Sequence, residues 1–148
     1  MTDVVDSETR SKMMAGIRGK DTRPELAIRR QLHQCGFRYR LHDKKLPGKP
    51  DIILKKYNAV IFIHGCFWHR HNCHLFKWPK TRPEFWRQKI IRNHENDVRA
   101  LENLQFAGWR VCIVWECSIK GASKNVSLVS ESIVRWLKSN KSMLEISE

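Results

Sequence analysis

Residues 64 to 74 read H-G-C-F-W-H-R-H-N-C-H, a run that holds four of the chain's seven histidines and two of its five cysteines. Thiolate and imidazole at that density suit a borderline-soft cation. Cys66, His71 and Cys73 form a C-x4-H-x-C cluster, and a tetrahedral zinc needs one further ligand to close its shell. Cys117, just after the apolar run 109–115, is the leading candidate, with His69 and His74 as alternatives. The bland reading, free thiols and surface histidines, would leave the long loop 65–82 without a staple, which compact domains rarely tolerate.

A second set of polar residues converges nearby. Asp51 enters an apolar run at the end of the loop L-P-G-K-P, and His64 leaves the next one, so both lie at one edge of an expected hairpin. Asp51 can equally be a turn cap after Pro50, and His64 an ordinary loop histidine. Glu25 completes a capping box with Thr22, which explains it without chemistry. Both roles can hold together, since a carboxylate at a helix N-terminus is kept ionised by the helix dipole and can hold water at a magnesium ion. Phe67 and Trp68, among basic residues, and Phe85 and Trp86 further on suit either the core or a wedge against nucleic-acid bases.

Several elements must position these groups. Ser7 to Arg18 can form a short basic helix. Thr22-Arg23-Pro24-Glu25 starts a stronger one, with Leu26, Ile28, Leu32 and Cys35 as its apolar stripe and Gly36 as its stop. Phe37 to Leu41 reads as a strand. Ile52 to Leu54 and Ala59 to Ile63 read as a hairpin that sets Asp51 opposite Ile63 or His64. Pro83 opens a long helix to about Gln105, with Phe85, Ile90, Val98, Leu101 and Leu104 among its apolar positions and Gly108 after it. Trp109 to Trp115 reads as a fully buried strand. Val126 to Lys138 reads as a last helix, and Cys35 and Cys112 as inert core thiols. The order is that of an α/β fold with a mixed central sheet flanked by helices. The expected organisation is an N-terminal arm over 1–20, one domain over 21–140 that includes the zinc loop 64–82, and a frayed tail over 141–148.

Composition narrows the partners. With 148 residues and 41% apolar content the chain suits one domain. Twenty-eight Lys and Arg against fifteen Asp and Glu leave +13, which points to a polyanion, nucleic acid first. No apolar run reaches the ~20 residues of a membrane span, and no secretory signal opens the chain. The expectation is a soluble intracellular protein, and the odd cysteine count fits metal ligation better than disulfides.

The run F-x-H-G-C-F-W-H-x-H-x-C, preceded by L-P-G-x-P-D and followed by F-W-x-x-K-I-x-x-N-x-x-x-D and G-W-R-V-x-I-V-W-E-C, resembles the bacterial very-short-patch repair endonucleases from Thr9 to about Gly121. The resemblance implies a restriction-endonuclease-like fold with a variant PD-(D/E)xK centre and one structural zinc. It implies a magnesium-dependent nickase that cuts 5′ of the thymine in T:G mismatches left by deamination of 5-methylcytosine. By that likeness Asp51 and the main-chain carbonyl of residue 63, here Ile63 in place of the family's threonine, would ligate magnesium. Glu25 would hold its waters, His69 would be the general base, His64 would meet the scissile phosphate, and Asp97 would support the histidines. Cys66, His71, Cys73 and Cys117 would bind zinc. Phe67, Trp68 and Trp86 would form a wedge from the major groove, with Met14 a second wedge from the minor groove.

Lys89 and Asn93, four apart on one helix face beside Trp86, are candidate readers of base edges, though that spacing also fits a solvated face. The implied partners are mismatched double-stranded DNA and, at family level, mismatch-repair proteins; the implied setting is a monomer in the bacterial cytoplasm, on the nucleoid. Two other readings stay open: a nuclease of the same fold without T:G preference, and a zinc-stabilised DNA-binding module without catalysis.

Overall fold

The computed structural model describes residues 22–71, 73, 76–119 and 126–147. The arm with its expected helix and Met14, and the alternative ligand His74, lie outside the described residues. The first helix, α1 (Arg23–Gln34), starts as its sequence dictates: the Thr22 hydroxyl accepts from the Glu25 N–H at 3.4 Å, and Pro24 occupies the first turn. Ile28 and Leu32 are buried. Cys35, expected in the core, is instead exposed, because it is the C-cap where the chain turns away before Gly36 at φ +92°.

Strand β1 is only Arg40–Leu41, shorter than the expected 37–41, and Phe37 leaves it to pack on Tyr57 with ring centroids 5.4 Å apart. The loop that follows requires a glycine. Gly48 has φ +74°, and a Cβ there would meet Ala100 Cβ at 2.8 Å and the Phe62 ring at 3.1 Å. That close approach delivers Asp51 to the head of β2 (Ile52–Leu54). A 3-10 turn over Lys55–Tyr57 and left-handed Asn58 lead into β3 (Ala59–His64), antiparallel to β2. The register pairs Ile52 with Ile61, so its continuation sets Asp51 opposite Phe62, one residue short of the expected Ile63 or His64. The four-residue connection sets that register.

Helix α2 (Pro83–Phe106) carries the chain to β4 (Arg110–Trp115), which runs parallel to β3, and α3 (Val126–Leu137) leads to β5 (Met143–Ile146), parallel to β4. The five strands lie in chain order. Period-2 alternation splits the core into two layers. Ile52, Leu54, Ala59, Ile61, Cys112 and Val114 face α1 and α3, whereas Ile53, Val60, Phe62 and Val111 face α2 through Leu104. The result is a mixed sheet between helices, compatible with a restriction-endonuclease-like fold.

Three further expectations need correction. The segment 141–148 is not a frayed tail, since Met143–Ile146 is an edge strand of the sheet; four residues with one acid among them carry too little pattern to announce it. Phe85 and Val98 on α2 do not face the core but are each 44% exposed, and Ile90, Ala100 and Leu104 face inward. A helix of 24 residues spans ~36 Å against ~20 Å for a six-residue strand, so its first turn, with Phe85, overhangs the sheet, whereas Val98 lies on the helix face opposite Ala100. In β4, Arg110 and Ile113 are only partly buried. Among the described residues no helix is long and apolar enough to cross a membrane.

Candidate active site and metal centre

The carboxyl ends of the parallel strands β3 and β4 gather the chemistry, as they commonly do in open α/β sheets. Three clusters meet there. The first joins Glu25, His42 and Asp51, whose ligand atoms lie within 4.8 Å of one another. Asp51 Oδ2 accepts from the Ile63 N–H at 2.7 Å, which places the Ile63 main chain beside this carboxylate. Glu25, 1% exposed, accepts on Oε2 from Arg29 Nη1 and meets His42 Nε2, each at 2.7 Å. Burial pushes the Asp51 carboxyl up to about 7; the Ile63 N–H opposes that shift and the Glu25 charge adds to it. Two carboxylates sharing one desolvated site call for a cation, and their hard oxygens suit magnesium.

The second cluster is His64, His69 and Asp97. His64 follows Phe62 onto the α2 face, and its ring stacks on His69 with centroids 3.8 Å apart and planes within 5°. Burial, then the neighbouring His69, hold His64 well below the ordinary histidine range, so it stays neutral. Its buried Nδ1 has no hydrogen-bond partner among the described residues. His69 Nδ1 lies 2.5 Å from Asp97 Oδ2 on α2. A carboxylate only accepts, so Nδ1 is the donor in this contact, and in the neutral imidazole the lone pair is then on Nε2. This pair opens into a groove also lined by Lys44, Lys49 and Asn96.

The third cluster is Cys66, His71, Cys73 and Cys117. The β3–β4 register pairs His64 with Trp115, so Cys66 and Cys117 stand at equivalent positions two residues past each strand. His71 Nδ1 lies 3.6 Å from Cys117 Sγ, and its ring stacks on Trp115 at 4.2 Å. Burial pushes the Cys66 thiol up. Two thiols at 0% exposure, a third thiol and an imidazole are the donor set of a structural zinc site, and they fit it. His69, weighed as an alternative ligand, is turned to Asp97 instead.

Above these clusters Phe67, Trp68 and Trp86 form a triangle of half-buried rings with centroids 5.1 to 5.7 Å apart. Lys89 Nζ sits 5.6 Å from the Trp68 ring centre and 5.9 Å from that of Trp86. Asn93 gives an amide N–H to the Trp68 carbonyl at 3.1 Å, so one of its hydrogen bonds holds the loop rather than facing outward. Sequence reasoning missed four participants. His42 sits in a loop with no motif. Glu116 accepts from the Cys66 N–H at 3.0 Å, and its place in the run W-E-C beside Cys117 was the signal for it. Phe76 and Trp78 extend the ring cluster, Trp78 lying between Arg70 and Arg87.

Paired carboxylates, a carboxylate-backed histidine and a groove lined by lysines are groups that a nuclease working with a divalent cation could use. Comparison with known proteins makes this specific. A family model described as "DNA mismatch endonuclease Vsr" matches residues 2–75. The chain is 46% identical over 138 residues to the DNA mismatch endonuclease Vsr of Escherichia coli (strain K12), covering 93% of this chain and 88% of that one. It is also 46% identical to the type II nicking enzyme V.XorIIP of Xanthomonas oryzae pv. oryzae, over 80% of this chain and 88% of the relative. The type II nicking enzyme V.NmeAIP of Neisseria meningitidis serogroup A gives 46% over 81% and 86%. The chain belongs to the Vsr family of DNA mismatch endonucleases.

Proposed function

We propose that this DNA mismatch endonuclease nicks one strand of duplex DNA on the 5′ side of the thymine in T:G mismatches, the lesion that deamination of 5-methylcytosine leaves. The observation that carries the reading is the His69–Asp97 contact at 2.5 Å, in a cluster with His64, whose neighbour Ile63 bonds the Asp51 carboxylate of the acidic pair. It leaves His69 Nε2 as an acceptor, and a histidine so held can take the proton of an attacking water, a contribution of ~10²–10⁴-fold. Asp97 fixes the tautomer and stabilises the imidazolium formed. His64, neutral in its buried setting, offers a hydrogen bond to the scissile phosphate. Asp51 and the Ile63 carbonyl would hold magnesium, with Glu25 positioned for its water shell. When bound there, the ion offsets the charge that develops on the phosphate.

Zinc at Cys66, His71, Cys73 and Cys117 is structural, and it fixes the loop that carries His69. Phe67, Trp68 and Trp86 form the wedge against the mismatch, Met14 a second one, and Lys89 and Asn93 meet base edges. Lys44 and Lys49 receive the strand's phosphates. The test is a strand-resolved nicking assay with Mg²⁺ on end-labelled duplexes that carry T:G, T:A or C:G at one position. A single magnesium-dependent nick 5′ of the thymine of T:G alone is expected. Equal cleavage of all three duplexes would remove the T:G assignment, and tight binding with no nick in any of them would remove catalysis.

A further inference from the structure

His42 belongs to no motif and stands 17 residues from Glu25, yet it bridges the two acids. Its main-chain N–H donates to the Asp51 carbonyl at 3.2 Å, and its ring Nε2 lies 2.7 Å from Glu25 Oε2. The backbone there takes φ +51°, a region that a residue with a Cβ occupies only where its surroundings hold it. The imidazole is 19% exposed. Arg29 also holds Glu25 Oε2, but it sits one turn further along α1 and moves with that helix. His42 comes from the loop that leads to Asp51, so its contact with Glu25 is a tie between two separate elements.

We propose that His42 is a positioning residue for the acidic pair: it locks Glu25 of α1 to the Asp51 loop at the separation a divalent cation requires, without touching substrate. The inference rests on the reading of Glu25 and Asp51 as the cation site. Its value to the enzyme is orientation. A donor on Oε2 fixes the carboxylate plane and directs the remaining acceptor capacity of Glu25 toward Asp51, and outer ligands of this kind typically account for ~10–100-fold in metal affinity or activity.

The experiment uses the full chain, zinc-loaded, with His42→Asn and His42→Gln. Both substitutions bring an amide, and asparagine tolerates the left-handed backbone. Only glutamine carries its nitrogen as far out as imidazole Nε2. Mn²⁺ binding without DNA, followed by electron paramagnetic resonance, is read beside kcat and KM for nicking and beside Tm. His42→Asn should weaken Mn²⁺ binding and lower kcat, each by about 10–100-fold, with KM for the duplex and Tm held. His42→Gln should recover most of both losses. A His42→Asn protein that binds Mn²⁺ and turns over like the parent overturns the proposal, and so do equal losses in the two variants. Asp51→Asn, measured alongside, separates the failures: if it too leaves Mn²⁺ binding intact, the cation-site reading falls and the inference with it.

Discussion

Asp51 is where the demands of the fold and of the site oppose each other. Its backbone N–H bonds to the Ile61 carbonyl, yet its carboxylate sits desolvated beside Glu25, which pushes it from 3.8 up to about 7. A raised carboxyl means that the folded protein keeps a proton the unfolded chain has already released. The stability this contributes is fully present below the ordinary carboxylate range and is lost as pH rises through about 7. The magnesium-free, zinc-loaded protein should therefore lose stability between roughly pH 4 and pH 7 and level off above that. Asp51→Asn cannot ionise, so it should flatten that slope and raise the denaturation midpoint at pH 8 while it abolishes nicking. Added Mg²⁺ should restore stability at pH 8 in the parent and not in the variant. Urea titrations across this range give the answer, and a parent slope that Asp51→Asn leaves unchanged would place the titrating group elsewhere.

At the scale of elements, the parallel pair β3–β4 is the device that makes the site. One register sets His64 against Trp115 and so brings Cys66 and Cys117, 51 residues apart in sequence, to the same edge. Residues 65–82 contain no helix or strand among those described, so the cluster has to hold the loop on which Phe67, Trp68 and His69 stand. Cys73→Ser should release about one zinc per chain, lower Tm sharply and reduce nicking together with binding of the mismatched duplex. Retention of zinc at unchanged Tm would exclude Cys73 from the site. Much of this edge was legible in the sequence, because C-x4-H-x-C is local and because the unbroken apolar runs A-V-I-F-I and V-C-I-V-W mark inner strands. The Thr22 N-cap of α1 was legible for the same reason. Three features were not. His42 meets Glu25 only through tertiary contact, the Asp51 register depends on a 3-10 turn that propensity does not reveal, and the exposure of Phe85 follows from helix overhang, which no periodicity encodes.

For the whole molecule, β4 carries four buried positions and needs a neighbouring strand on both edges. β3 covers one side and β5, the element that looked like a tail, covers the other. The junction is built by two polar side chains as well as by Met143, Leu144 and Ile146. Trp115 Nε1 donates to Glu145 Oε1 at 2.7 Å, which ties β5 to the indole on which His71 stacks. Arg110 gives its guanidinium N–H groups to the carbonyls of Tyr57, Trp136, Leu137, Ser139 and Lys141, closing the opposite end of the sheet around the turn before β5. A chain that ends at Ser142 keeps the Arg110 contacts but loses the β4–β5 ladder and three half-buried apolar side chains. At ~1.5–3 kcal/mol for each side chain if fully buried, half-burial of three corresponds to about 3 kcal/mol. For a domain of this size that is a fall in Tm of about 6–12 °C. Because Glu145 also steadies the indole beside His71, the truncated chain should lose zinc to a chelator faster than the parent at a temperature where both are folded. Thermal unfolding together with chelator-driven zinc release measures both effects. A truncated chain that matches the parent in Tm and in zinc release would mean that β4 is sufficient as an edge and that β5 only decorates it.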